Sequence, residues 1–360
     1  MTVRSRRPAR RASRDGAVTS GDTPSTILLL ADPGAPAQIA ERLADSLPRA
    51  IASGGGGWDV SVRCDPYPVD EHSEVADVVR TVDPAGEGQD VVIYLTDLPR
   101  RMETTPVVAD ISPKDRFGMI SIPGVGGVSV GRRVRDVAQT VVAEVTRRPE
   151  DRHRSARRLT RLDADDAVRY VAPKGLARLR LLAGLIYANR PWRLAAGMSK
   201  VIMAAFATGA VSLAYPTIWQ LSDTMGPWRL GTTTILATAA MIAWLILEHG
   251  LWERPQTADE RERARLYNAA TLVTLTIGVV MFHVGLFLLL FVTAWWTLPP
   301  GLVADNVGHP VDLPTLLRMA WLVAAVATLG GALGSGMEDD DAVKSAAYGV
   351  RQRERFEQSR

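Results

Sequence analysis

The pattern of hydrophobic and polar positions divides the chain into two halves of different kinds. Residues 26–145 alternate short apolar runs, typical of β-strands, with amphipathic runs at helical spacing. From Ala196 onward the chain consists mainly of long apolar stretches that contain almost no ionised side chains. The chain is therefore not a single soluble globule, and we expect a soluble domain followed by a membrane domain.

Strands separated by helices predict an α/β domain at residues 25–146, with a small, doubly wound and mostly parallel sheet. The predicted strands lie at 26–31, 58–64, 90–95 and 118–122, and a fifth can be drawn at 104–111. The predicted helices lie at 37–51, 74–82 and 130–145. Pro48 is expected to end or kink the first helix, because it lacks the N–H that the helix needs.

Four apolar stretches in the second half each contain the roughly 20 residues that cross the hydrocarbon core of a bilayer. They fall at about 198–221, 230–251, 270–298 and 313–335, within a transmembrane domain at 197–336. Buried soluble helices are a poor explanation for four such stretches in succession. The predicted fold class is an α/β domain followed by an all-α, four-helix transmembrane domain.

Charges in the loops predict the orientation of the spans. The loop at 248–267 carries four arginines and the tail at 337–360 carries five basic residues, whereas the loop at 299–312 carries none. Because basic residues stay on the cytoplasmic side, we expect a bacterial inner-membrane protein with both termini in the cytoplasm. Tryptophans near the span ends are the expected interfacial anchors: Trp219, Trp228, Trp252, Trp295 and Trp296.

Basic segments flank the α/β domain. The tail at 1–24 has six arginines in its first twenty residues and no apolar core of a signal peptide. We expect it to be disordered and either solvated or in contact with anionic lipid. Residues 147–200 hold 14 basic and 5 acidic residues. The linker at 147–196 is expected to be helical in places and to end in an amphipathic helix, 176–188, that lies in the inner interface.

A short or re-entrant fifth span is the alternative for residues 176–188. Anionic head groups of the bilayer are the partner that the basic linker predicts. Nucleic acid is not expected, because the basic run adjoins a span and lacks the aromatic spacing of a nucleic-acid-binding module.

Ligands of parallel sheets bind beyond the carboxyl ends of the strands, where polar residues follow each predicted strand. The candidate ligand-binding residues are Asp32, Asp97, Arg100, Arg101, Gly124, Gly126 and Gly127. Arginine forks suit a phosphate, as do glycine N–H groups at the start of the helix at 130–145. The two aspartates suit a metal held through water. Aspartate and glycine are also ordinary turn residues, so a structural role stays open.

Other motifs in the sequence are less specific indications of a binding site. The glycine run at 124–129 places Ser129 where a dinucleotide fingerprint needs glycine, and it follows the fourth strand instead of the first. The single cysteine, Cys64, excludes a disulfide framework within the chain. His283 is a candidate polar site in the third span, or a histidine satisfied by a neighbouring helix. The spacing of His309 with Asp305 and Asp312 does not specify a metal, and the sequence leaves any cofactor unknown.

Three segments carry a resemblance to a protein family: TDLPRR at 96–101, GHPVD at 308–312 and GGALGSGME at 330–338. Together they resemble uncharacterised four-span integral membrane proteins of high-GC bacteria that have an N-terminal cytoplasmic α/β domain. The resemblance covers most of the chain and implies this architecture, but it implies no activity. PGVGGVS at 123–129 is loosely similar to the Pro-Gly-rich turn of methylenetetrahydrofolate dehydrogenases, although the order of the glycines differs.

The expected function is that of an integral membrane protein whose cytoplasmic α/β domain binds a small ligand or a protein partner at the inner leaflet. A membrane-bound enzyme acting on a phosphorylated or nucleotide ligand is the first alternative, so enzymatic activity stays open. A transporter or channel subunit is the second, disfavoured by the scarcity of intramembrane charges. Small residues at 330–336 are compatible with a homo-oligomer or with packing inside one chain.

Overall fold

The computed structural model describes residues 25–51, 57–69, 73–102, 105–147, 159–164, 166–173, 175–255, 260–334 and 344. The predicted tail at 1–24, nearly all of that at 337–360 and residues 148–158, 165 and 174 of the basic linker lie outside these residues. An α/β sheet domain comes first in the chain, and a helical region follows it.

Eight strands of the described residues form one sheet. They are β1 (Ser25–Ala31), β2 (Trp58–Cys64), β3 (Val91–Thr96), β4 (Arg101–Met102), β5 (Thr105–Ser112), β6 (Phe117–Ser121), β7 (Thr160–Ala164) and β8 (Ala167–Val171). The order across the sheet is β2-β1-β3-β6-β5-β8-β7, with β4 paired to β5. β2, β1, β3 and β6 are mutually parallel, whereas β5, β8 and β7 add antiparallel pairs.

The sheet is therefore mixed, and the expectation of a doubly wound, mostly parallel sheet is not exact. The reason lies in the connections, since β5 reaches β6 and β7 reaches β8 through turns too short for a parallel crossover. β5 coincides with the fifth strand drawn at 104–111. β7 and β8 fall in the segment expected to be a linker that is helical in places, so the sheet continues beyond the predicted boundary at residue 146.

Helices cover both faces of the sheet. They are α1 (Ala35–Ile51), α2 (Val75–Val82), α3 (Ile122–Val125) and α4 (Val130–Val145). Along β1, Ile27 and Leu29 pack with α1 and α4, whereas Leu28 and Leu30 pack with α2. α1 continues past Pro48 to Ile51, because a proline so near the end removes a hydrogen bond only from the last turns.

The helical region contains eight described helices. They are α5 (Ala177–Asn189), α6 (Pro191–Gly197), α7 (Ser199–Ser212), α8 (Pro216–Thr224), α9 (Pro227–Glu248), α10 (Glu260–Thr297), α11 (Pro300–Val307) and α12 (Leu313–Gly334). α9, α10 and α12 are long and apolar enough to cross a membrane. A fourth span results if Ala177–Leu194 and Ser199–Ser212, bent by 52°, count as one broken span.

The first predicted span, 198–221, is not a continuous helix. α7 has 14 residues, about 21 Å at 1.5 Å per residue, which is short of a hydrocarbon core of about 30 Å. The helix breaks before Pro216, because the residue that precedes a proline favours extended backbone, as Tyr215 does here. Beyond the break, Trp219 is buried and donates its indole N–H to the Leu213 carbonyl at 2.7 Å. Trp219 is thus not an interfacial anchor, whereas the other four tryptophans are exposed.

The longest element, α10, connects the two ends of the molecule. Its 38 residues extend about 57 Å, nearly twice the thickness of a hydrocarbon core. Near its first turns, Tyr267 and Ala270 pack with core residues of the α/β domain, whereas Trp295 near its last turn lines a cavity at the opposite end. Between them, α10 packs against α12, α7 and α9 in the apolar core of the helical region.

Candidate functional site

The predicted ligand residues begin at the carboxyl end of β1 with Asp32, which is completely buried. Its carboxylate accepts hydrogen bonds from the Tyr94 hydroxyl at 2.5 Å and from the Thr96 hydroxyl at 2.6 Å. The backbone N–H of Asp97 also donates to it, at 3.2 Å. Parallel β1 and β3 end side by side and so bring Asp32 and Asp97 together, as expected. Both side chains are inside the protein, away from solvent.

Arg100 is also buried, and each of the three nitrogens of its guanidinium has a partner within the protein. Nε and Nη2 donate to one carboxylate oxygen of Asp110 at 3.1 and 3.0 Å, and Nη1 donates to the Ser73 carbonyl. The other oxygen of Asp110 accepts from Arg169 Nε at 2.6 Å. Arg101 follows in the short strand β4 and is partly buried. Arg100 therefore holds the sheet together, and a phosphate would have to displace Asp110 or Ser73 to reach it.

The glycine turn after β6 is packed backbone to backbone. A Cβ at Gly124 would lie 2.2 Å from the Val107 carbonyl oxygen, so only glycine fits there. Its N–H donates to the Ser121 hydroxyl at 3.2 Å, and the N–H of Gly126 donates to the Pro123 carbonyl at 3.1 Å. Two of the N–H groups that would hold an anion are thus bonded within the chain.

Helix α5 lies directly on this turn. A Cβ at Gly127 would be 2.6 Å from the carbonyl oxygen of Ala183, and a Cβ at Gly184 would be 2.4 Å from that of Pro123. Arg180 of α5 donates its Nε–H to the Gly124 carbonyl at 2.9 Å. The glycines of the turn allow the close approach of a helix of the same chain.

The crevice at the carboxyl ends of the strands is filled by the helical region. Tyr94 and Leu98 belong to one buried cluster with Leu185 of α5 and with Tyr267 and Ala270 of α10. This apolar packing continues without interruption from the face of the sheet to α10. The predicted ligand site is therefore, in this structure, a joint between the α/β domain and the helices.

The direction of α5 follows from two contacts with α10. Arg178 donates to the Glu262 carboxylate at 2.9 Å, and Asn189 donates to the Thr274 hydroxyl at 3.2 Å. The contacts are eleven residues apart on α5 and twelve apart on α10, so the two helices run side by side in the same direction. α5 thus packs lengthwise against α10, and the interfacial placement expected for residues 176–188 stays a prediction.

His283 faces α12 in the middle of α10. Its Nδ1 lies 3.0 Å from the Thr328 hydroxyl, which itself donates to the Ala324 carbonyl at 2.7 Å. Because the hydroxyl hydrogen of Thr328 is used, its oxygen accepts and Nδ1 carries the proton. The facing helix thus provides a hydrogen-bond partner for His283, as one of the two sequence interpretations expected.

The residues that sequence reasoning missed are Asp110 and Arg169, which share the ion network of Arg100. Their positions on β5 and β8 become informative only once the two strands are known to pair. The chain also contains one tyrosine that precedes a lysine by four residues, Tyr170 and Lys174. The Tyr170 hydroxyl donates to Glu144, and Lys174 lies outside the described residues.

Among the residues that the structure describes, no three His, Cys, Asp or Glu side chains come together as ligands for a metal ion. A scan against protein-family models gives no match, and neither the curated proteins nor the solved structures contain one that matches the chain.

Proposed function

We propose that the chain is a multi-pass protein of a bacterial inner membrane, with both termini in the cytoplasm, whose α/β domain is a rigidly mounted binding module for an acidic protein segment. The packing at the strand ends is the observation that carries the proposal. Leu185 and Tyr267 occupy the crevice where a small ligand of such a sheet would bind. The α/β domain is then held in place against the spans, and its outer surface is the part that a partner can contact.

The distribution of tryptophans and arginines supports the membrane placement. Trp228 lies in the first turn of the 22-residue helix α9 and Trp252 follows four residues after its end. The length of α9, about 33 Å, matches the hydrocarbon core. The loop after α9 carries Arg254 and further arginines beyond it, which favours the cytoplasm for the side that holds the α/β domain.

The surface that fits a protein partner surrounds the glycine turn, and we call it the basic-apolar surface. Its members are Val128, Leu176, Leu179, Arg132 and Arg133. The three apolar side chains are 67%, 75% and 60% exposed. Leu176 is the N-cap residue of α5 and Leu179 lies in the first turn, so both are at the N-terminal end of this helix. Further along α5, the turn that contains Ala183 packs against Gly127, which precedes Val128. Exposed leucines beside arginines are complementary to a segment that carries apolar and acidic residues.

The distance from the bilayer favours a protein over lipid at this surface. Arg178, between Leu176 and Leu179 on α5, is paired with Glu262. Glu262 precedes the start of the predicted span at residue 270 by eight residues, about 12 Å along α10. The head-group layer is only about 5–7 Å thick on each side of the core. The part of the basic-apolar surface at Leu176 and Leu179 therefore faces the cytoplasm beyond the head groups.

The topology can be tested with the single native cysteine. Cys64 is exposed on β2, and a membrane-impermeant maleimide is expected to label it only after cells are permeabilised. In a Cys64→Ser background, Asp305→Cys is expected to be labelled in intact cells. Partial burial, together with the charges of Asp32 and Asp65, raises the pKa of the Cys64 thiol, so labelling is done at alkaline pH.

The matched control is Thr81→Cys in the same background, on the exposed side of α2. It distinguishes a slow reaction of the Cys64 thiol with the maleimide from protection of that thiol by the membrane. Labelling of Thr81→Cys in intact cells, or of Asp305→Cys only after permeabilisation, would contradict the proposed orientation.

Partner binding can be tested by photocrosslinking in cells that express the full chain. A benzophenone amino acid at Leu179 is expected to form a discrete protein adduct, whereas the same amino acid at Thr81 is not. Arg132→Glu together with Arg133→Glu should abolish the adduct because the charge complementarity is reversed. The exposed Arg49→Glu of α1 serves as the charge control and should leave the adduct intact.

Mass spectrometry of the adduct then identifies the crosslinked segment, which is expected to be acidic and to contain apolar side chains. An adduct with lipid alone, an adduct that survives the double reversal, or a basic crosslinked segment would each refute the proposed partner.

A further inference from the structure

A second functional region lies at the end of the helices opposite the α/β domain. We call it the distal cap and define it by residues 216–224 and 300–312, which include α8 and α11. Trp219, Val303 and Met319 form a small buried cluster between the two helices and α12. The Gln220 side chain also donates to the Asn306 carbonyl at 3.2 Å. Beside this cluster, a cavity of about 300 Å³ is lined mostly by apolar side chains, among them Trp295 and Val311.

One histidine joins the two segments of the cap. His309 Nε2 lies 3.0 Å from a carboxylate oxygen of Asp223 in α8, and its Nδ1 lies 2.9 Å from the Pro310 carbonyl oxygen. Both partners can only accept hydrogen bonds. A neutral imidazole has one N–H and could satisfy just one of them, with its lone pair facing the other oxygen. Both contacts are hydrogen bonds only when each ring nitrogen carries a proton, which is the imidazolium form.

The charged groups around His309 come from every neighbouring element. Asp223 of α8 is shared with Arg318 of α12 at 3.0 Å. Asp312 precedes α12 and accepts from the Thr315 N–H at 2.9 Å. Asp305 of α11 is exposed. The hydrogen bond to the Pro310 carbonyl, followed by that to Asp223, raises the pKa of His309 above its ordinary value.

We propose that the distal cap senses protons: protonated His309 holds the segment after α11 against α8, and loss of the proton releases it. Because Arg318 remains on Asp223 in both states, release does not leave the carboxylate without a counter-ion. The released segment contains Val311, so its movement opens one wall of the cavity. Protons on the side of the membrane opposite the α/β domain would then control access to an apolar cavity. This sensing is independent of partner binding at the basic-apolar surface.

The sign of the pH dependence follows from the raised pKa of His309. The stabilisation is fully present below the ordinary pKa of histidine, and it is lost as the pH rises through the raised value in the folded protein. The cap is therefore expected to be closed in acid and open in alkali.

Hydrogen exchange of the full chain in nanodiscs, followed by mass spectrometry between about pH 5 and about pH 9, measures the state of the cap. After correction for intrinsic exchange, protection of residues 216–224 and 300–312 is expected to fall about twofold to fivefold as the pH rises, the range for an exposed charged pair. Peptides from α9 should show no such transition.

Three variants test the assignment. His309→Gln is expected to show low protection of the cap from hydrogen exchange at every pH, without a transition. Asp223→Asn should move the transition to lower pH, because the negative partner of the imidazolium is lost. The exposed Asp305→Asn is the matched control and should retain the wild-type transition. A wild-type cap without a transition, a transition that survives His309→Gln, or an unshifted midpoint in Asp223→Asn would each overturn the proposal.

Discussion

Replacing Asp110 with alanine is expected to lower the free energy of unfolding by about 3–5 kcal/mol, the range found when one partner of a buried ion pair is removed. The side chains of Asp110 and Arg100 are 1% and 6% exposed. The guanidinium of Arg100 would lose the carboxylate that binds its Nε and Nη2, and Arg169 would lose the same partner. A buried charge without a counter-ion carries the full cost of its desolvation.

The matched control is Asp166→Ala. Asp166 pairs with Lys114, but these side chains are 71% and 58% exposed, so solvent already screens the pair. Its loss is expected to leave the free energy of unfolding close to that of the wild type. Urea unfolding of the full chain in detergent, followed by circular dichroism, measures both variants.

The Asp110 result also decides between two roles of Arg100. If Asp110→Ala unfolds no more easily than Asp166→Ala, Arg100 is free to find solvent or an anion. Arg100 would then be available to a ligand, as its position after β3 first indicated. A large loss of stability, partly recovered in the double variant Asp110→Leu with Arg100→Met, fits the structural role.

The parallel strands could be predicted from sequence because each is a short apolar run bounded by turn residues. β1, β2, β3 and β6 lie within a residue or two of their predicted positions. The antiparallel part was less accessible. β7 and β8 carry charged residues such as Arg161, Asp163 and Arg169, which hide the strand pattern within a basic segment. The direction of pairing also depends on the length of the connections, which the apolar pattern does not report.

The meeting of Asp32 and Asp97 was predictable for a simple reason, since neighbouring parallel strands end at the same edge of a sheet. What covers that edge was not predictable. Leu185 and Tyr267 are 82 residues apart in sequence, and neither leaves a local signal of its partner. The apolar character of α5 was visible, but an interfacial helix and a helix packed against two partners have the same composition.

The break in the first span shows the same limit. Pro216 indicates a disturbance in an apolar stretch, yet a kinked span and two separate helices fit that sequence equally well. The structure shows two separate helices, because α8 packs against α11 and α12 and the Trp219 indole donates to the Leu213 carbonyl at the end of α7. Burial then explains why a tryptophan near a predicted span end is not an interfacial anchor.

The joint between the domains makes Gly184→Ala the second variant with a large expected effect. Exchanging glycine for alanine inside a helix ordinarily stabilises a protein by about 1 kcal/mol. At Gly184 the added Cβ would lie 2.4 Å from the Pro123 carbonyl oxygen and 2.6 Å from its Cα. These are backbone atoms that cannot rotate away, so α5 must move off α3. We expect a net loss of about 1–3 kcal/mol, typical of overpacking.

Gly131→Ala provides the matched control, since Gly131 lies in the first turn of α4 with no atom within 4 Å of its added Cβ. Thermal unfolding of both variants in detergent should show a lower midpoint for Gly184→Ala and an equal or higher one for Gly131→Ala. Hydrogen exchange in Gly184→Ala should be fastest near Pro123 and Leu185, where the joint opens. If the two variants were equally stabilised, α5 could leave the glycine turn at no cost. The crevice would then be accessible, and the strand-end residues would again be candidates for a small ligand.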